Sequence, residues 1–173
     1  MGPDEICRRL GEAKTKAIFL ELTTDAMKKV MKEAKLPTAR LASQTSLSRR
    51  NADWAAMLWR LVSDGSAIED PKQGPAALLL FEWLSRARRP MLAEFLTGID
   101  VPHQNGLTDA DFMQAAPPEK MLSVAQGLFD HFDRQEVAAY LLFLDATNKS
   151  ETFGPLELEK ILPPAPAPAP QAG

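Results

Sequence analysis

The sequence predicts an all-α protein, and three observations predict it. No segment alternates apolar and polar residues between turn residues, whereas apolar residues recur at helical spacing along the chain. Two segments, AALLLFEWL (76–84) and VAAYLLFL (137–144), are apolar almost all the way round, as a helix enclosed by other helices must be. Start and stop residues fall where the periodic runs begin and end. The expected fold is a compact stack of helical hairpins, seven or eight helices in one domain over 1–160. A disordered Ala/Pro tail over 161–173 follows it.

Taken in order, the spacing predicts helices over about 4–21, 24–35, 37–48, 52–63, 75–87, 89–97, 118–131 and 134–146, the third being the weakest. Thr24-Asp25 and Asn51 precede apolar runs as caps would, and Pro75 and Pro117-Pro118 suit first turns. Asp133 is placed to cap RQEVAAYLLFL, and Thr108 to cap a short helix whose first turn would carry Asp109 and Asp111. Gly65, Gly74, Pro90, Gly98 with Pro102, and Gly154-Pro155 act as breakers. Leu79, Leu80, Trp83, Leu84, Tyr140, Leu141 and Leu144 form the candidate centre of the core. Trp54 and Trp59, five residues apart, cannot both face one core stripe, so one of them is a candidate for an interface.

A weak internal repeat joins the two apolar helices. Phe95-Leu96-x-x-Ile99-Asp100 matches Tyr140-Leu141-x-x-Leu144-Asp145 at an offset of 45 residues. A helix pair recurring every ~40–47 residues is the spacing of HEAT-type hairpins. Two clear copies leave a HEAT-like duplication and a coincidence between two amphipathic hairpins both open. The tail, PPAPAPAPQAG, holds five prolines and four alanines in eleven residues, a composition that buries little and favours extended backbone.

Composition bounds the setting. Of 173 residues, 45% are hydrophobic and 25% charged, an ordinary globular balance. The one cysteine, Cys7, allows no intramolecular disulfide and no thiolate-rich zinc site, which fits a reducing compartment. The N-terminal segment has no uninterrupted apolar run of signal-peptide type, and PAALLLFEW is far short of the ~20 apolar residues of a membrane span. A cytoplasmic protein without membrane contact is therefore expected. Net charge is −3 but uneven. Residues 1–93 hold 16 Lys/Arg against 11 Asp/Glu, giving +5, and residues 94–173 hold 4 against 12, giving −8.

The residue types of catalytic and metal sites are concentrated in GIDVPHQNGLTDADF (98–112). A calcium loop with Gly106 at its sixth position would place Val101, His103 and Phe112 at positions 1, 3 and 12, where oxygen ligands are required. DATNKSETFGPL (145–156) fails the same test. Neither His103 nor His131 has a histidine three or four residues away, although a composite site drawing both together with aspartates is conceivable from the hairpin ends. Cys7 has Arg8 and Arg9 beside it but no recognisable catalytic partner, and no phosphate cradle, nucleophile elbow or dinucleotide fingerprint occurs. No enzymatic activity, metal or cofactor is expected. His103, Gln104 and Asn105 are the candidate ligand or partner loop.

Two basic clusters remain. Lys28, Lys29, Lys32, Lys35, Arg40, Arg49 and Arg50 form a basic segment with hydroxyl residues after it, suited to phosphate contacts. Arg86, Arg88 and Arg89 lie at a short bend and could grip a carboxylate or phosphate bidentately, the protein's own acidic half being the nearest source of carboxylates. The expectation is a non-catalytic protein-interaction or regulatory module whose partner is another protein. The alternative is a nucleic-acid-associated protein using the basic 28–50 segment. Oligomeric state is left open.

Overall fold

The first helix, α1 (Pro3–Leu20), opens with Pro3 in its first turn and bends at Gly11, whose φ of 84° no longer belongs to a helix. The bend leaves a carbonyl without its helical partner, and the Thr15 hydroxyl donates to Cys7 O at 2.8 Å. The computed structural model describes residues 1–38, 47–64 and 73–164. Arg40, most of the weak 37–48 helix, Gly65 and residues 165–173 of the expected 161–173 tail lie outside them. Among the described residues the chain is all-helical, with no strands beyond one isolated bridge in a turn.

Seven more helices follow: α2 (Thr24–Glu33), α3 (Leu47–Ser63), α4 (Pro75–Ala87), α5 (Arg89–Gly98), α6 (Phe112–Ala115), α7 (Pro118–His131) and α8 (Arg134–Asn148). Two 3-10 turns close the described chain, Gly154–Leu156 and Leu158–Lys160. Thr23 caps α2 by accepting from Ala26 N–H, and Asp133 caps α8 by accepting from Gln135 and Glu136 N–H. Three expected starts shift. The cap of α2 is Thr23, so Thr24 and Asp25 lie in its first turn and not before it. Helix α3 is already helical at Leu47, so Asn51 is an interior residue and caps nothing. Helix α6 begins at Phe112, which leaves Asp109 outside it and Asp111 at a cap position without a side-chain bond. Thr108 instead accepts from Ala110 N–H within the loop.

Helix α1 is the hub, packing on α3, α4 and α8, while α2 lies on α4. The hairpins α4–α5 and α7–α8 meet chiefly through α5 on α7. All seven residues expected at the centre are buried. Trp54 is buried as well, at 1% exposure, with Arg50 over its ring, so it belongs to the core and not to an interface. The two repeat-related aromatics touch: the Phe95 ring meets Tyr140 edge-on at 5.8 Å, and also Phe112 and Phe153 at 6.2 and 6.0 Å. This cluster ties α5, α6, α8 and the segment after α8 together.

Candidate functional site

A trough of about 880 Å³ runs between the start of α1, the end of α8 and the two 3-10 turns. Its formation follows from how α8 stops. Lys149 adopts the left-handed conformation and Ser150 N–H donates to Asp145 O at 3.0 Å, a Schellman-type ending. The Asp145 carboxylate then accepts from the Ser150 hydroxyl and from the backbone N–H groups of Thr152 and Phe153. That one side chain turns the chain back and drives Phe153 into the core. The 3-10 turns are held from the far side by Arg9, which donates to the carbonyls of Glu159, Leu162 and Pro163. Leu158 and Leu162 are buried beneath this clasp.

The trough thus has an apolar floor of Leu142, Phe153 and Leu158 and a charged rim. Its lining carries six carboxylates, on Asp4, Glu5, Asp145, Glu151, Glu157 and Glu159, against the three cations Arg8, Lys149 and Lys160. Some are mutually engaged, Arg8 with Glu5 and Lys160 with Glu157, each at 2.5 Å. Partial burial pushes the Asp4 carboxyl above its ordinary range, against the opposing pull of Arg8. The trough is mixed in character, with acid in excess.

The sequence-selected residues distribute themselves elsewhere. His103 does not face the trough. Its Nδ1 accepts from Gly106 N–H at 3.2 Å, and its Nε2 lies 2.9 Å from Thr97 Oγ1. Gln104 and Leu107 exchange backbone hydrogen bonds across Asn105 and Gly106, both at positive φ (50° and 82°), the signature of a type I′ turn. His131 Nδ1 lies 2.6 Å from Glu94 Oε1, and the hydrogen bond and charge of Glu94 raise the imidazole above its ordinary value. Both histidines therefore reach the same helix, α5, at positions three apart. Among the described residues no three His, Cys, Asp or Glu side chains gather closely enough to hold a metal ion. Cys7 is fully buried, and burial pushes its thiol up, so flanking arginines do not make it a thiolate.

The bend arginines turn inward. Arg88 grips Glu136 with two bonds of 2.6 and 2.8 Å, pairs with Glu21 at 3.0 Å and lies over the Trp83 ring. Lys14 joins the same Glu136 at 2.7 Å. Arg86 binds Glu82, also reached by Lys29, and Arg89 donates to Ser85 O. Burial opposes ionisation of Glu136 and Glu82, but the hydrogen bonds from their cations outweigh it and hold both carboxyls below their ordinary value. Lys28, Lys29, Lys32, Lys35 and Arg49 are exposed, and Arg50 stacks on Trp54. Lys28 has Asp25 at 3.8 Å.

The trough was missed in the sequence because its walls come from opposite ends of the chain. The only advance signal was Asp145, an acid in the last turn of an apolar helix, followed by Ser-x-Thr. No family model, curated protein or solved structure matches the chain. Among the described residues no helix is long and apolar enough to cross a membrane.

Proposed function

We propose that the protein is a non-catalytic interaction or regulatory module of the cytoplasm that receives a segment of a partner polypeptide in the α1/C-terminal trough. The carrying observation is the lining itself, an apolar floor under a rim in which, apart from the inward-engaged Asp145, five carboxylates stand against three cations. Such a surface suits apolar anchors flanked by Lys or Arg. The reading is also supported by how the reactive residue types are used: the histidines, Cys7 and Asp145 all serve local structure.

A defined probe tests it. Amide shifts of the labelled protein are followed during titration with a short peptide alternating Leu and Lys, and with its Leu/Glu counterpart. Shifts of Ser150–Lys160 with the cationic peptide alone, weakened in Asp4→Lys and Glu151→Lys, are expected. Equal response to both peptides, or no effect of the charge reversals, removes the reading.

A second reading rests on α2. Its apolar stripe of Ala26, Met27, Val30 and Met31 packs inward, leaving Lys28, Lys32 and Lys35 on the outside. A row of exposed cations suits phosphates. Anisotropy with labelled duplex and single-stranded oligonucleotides tests it: binding that falls steeply with salt and is abolished in Lys28→Glu, Lys32→Glu, Lys35→Glu would favour nucleic acid over the first reading.

A further inference from the structure

The Asn105-Gly106 pair is a reactive dipeptide placed in an unusual constraint. In an asparagine followed by glycine, the backbone nitrogen of the glycine can attack the side-chain amide carbon. A new N–Cγ bond forms, the Cγ–Nδ2 bond breaks, and ammonia leaves with the proton given up by the attacking nitrogen. Water then opens the five-membered imide at either carbonyl, giving aspartate or an isoaspartyl link with one extra atom in the main chain. Asn105 is exposed at the turn tip, and glycine at 106 offers the attacking nitrogen no side-chain shielding.

Two contacts oppose that closure here. The attacking nitrogen donates its proton to His103 Nδ1 at 3.2 Å, and His103 is anchored in turn to Thr97 of α5. Gly106 itself is pressed onto the first turns of α5. A Cβ placed on it would stand 2.6 Å from Arg89 O, 3.0 Å from Ala93 N and 3.0 Å from Leu92 Cβ. Ring closure requires the peptide plane between 105 and 106 to rotate and Asn105 to leave its left-handed conformation. Rotation breaks the His103 bond and lifts Gly106 off α5.

We propose that Asn105 is a self-modification site gated by the docking of its turn on α5, with His103 and Thr97 as the latch. Docked, the turn is protected. Each opening exposes it to an irreversible change that adds a negative charge to a segment already carrying Asp100, Asp109 and Asp111 and, in the isoaspartyl form, a main-chain atom that the tight turn cannot accommodate. The site thus records how often this loop opens.

The test is the rate of the 1 Da mass gain at Asn105, followed by peptide mapping at neutral pH with Asn51 and Asn148 as internal controls. A turn docked nine-tenths of the time reacts about tenfold more slowly than the free peptide 98–112. Thr97→Val and His103→Ala should each move the rate toward that of the peptide while Asn51 and Asn148 keep theirs. Thr97→Val alters an exposed helix position, so it decides the matter even if His103→Ala unfolds. Folded protein reacting as fast as the peptide, or both variants as slow as wild type, overturns the proposal.

Discussion

Gly98 stands where two helices come closest. A Cβ built on it would lie 2.5 and 2.9 Å from the two methyl carbons of Val124 on α7, well inside contact distance. Helix α5 does not need glycine here for its ending: the left-handed residue is Asp100, and Val101 N–H closes on Leu96 O at 2.9 Å. Read along the sequence, Gly98 looked like a breaker, but its role is spacing. Val124 is β-branched and stiff, so it cannot swing aside without strain. Gly98→Ala should therefore destabilise the fold by ~1–3 kcal/mol despite alanine's better helix propensity. Adding Val124→Ala should recover part of the loss, because the clash goes while the propensity gain of ~1 kcal/mol stays. Denaturant melts of the two variants check this, and a single variant as stable as wild type would show that α5 and α7 can separate freely.

At the scale of elements, the sequence set out most helices because their signals were local. The apolar periods of α4, α5, α7 and α8, the first-turn prolines Pro75 and Pro118 and the cap Asp133 needed nothing beyond their neighbours. What was hidden depends on partners far along the chain. The bend at Gly11 became intelligible only through the Thr15 bond and through Lys14, which lies just past it and reaches Glu136 on α8. Arg88 likewise ties the α4–α5 bend to α8 and to Glu21 just after α1. The expectation that the bend arginines pair with the acidic half holds for Arg88 alone: Arg86 reaches Glu82 on its own helix, and Arg89 donates to Ser85 O. Replacing Arg88 with Met leaves the buried Glu136 carboxylate with Lys14 alone. The expected cost is about 2–3 kcal/mol, below the range for fully buried pairs because the Arg88 side chain keeps 22% of its exposure. Arg88→Lys should recover less than half of it, since an ammonium cannot make the two-pronged contact. Equal stability of the Lys variant and wild type would mean that charge alone matters.

At the scale of the molecule, the charge imbalance between the two halves is partly closed at the seam between them. Lys14 and Arg88 with Glu136, and Arg9 with Glu159, each cross from the basic portion to the acidic one. Glu136 at this seam and Glu82, which pairs with Lys29 and Arg86 inside the basic portion, are the buried carboxylates, and both are held below the ordinary value of 4.5. A carboxyl with a lower value folded than unfolded stabilises the fold fully above the unfolded value and ceases to do so as pH falls through the folded one. The fold should therefore lose stability increasingly below about pH 4.5. His131 acts in the opposite sense. Its value is raised above 6.5, so its pair with Glu94 contributes below that pH and is lost as pH rises through the folded value. Its full exposure makes that contribution slight. A Glu82→Gln, Glu136→Gln double variant should melt lower than wild type near neutrality, and its melting temperature should fall less steeply on acidification, so that the two curves converge. Curves that stay parallel from about pH 7 to about pH 3 would locate the acid sensitivity in carboxylates other than these two.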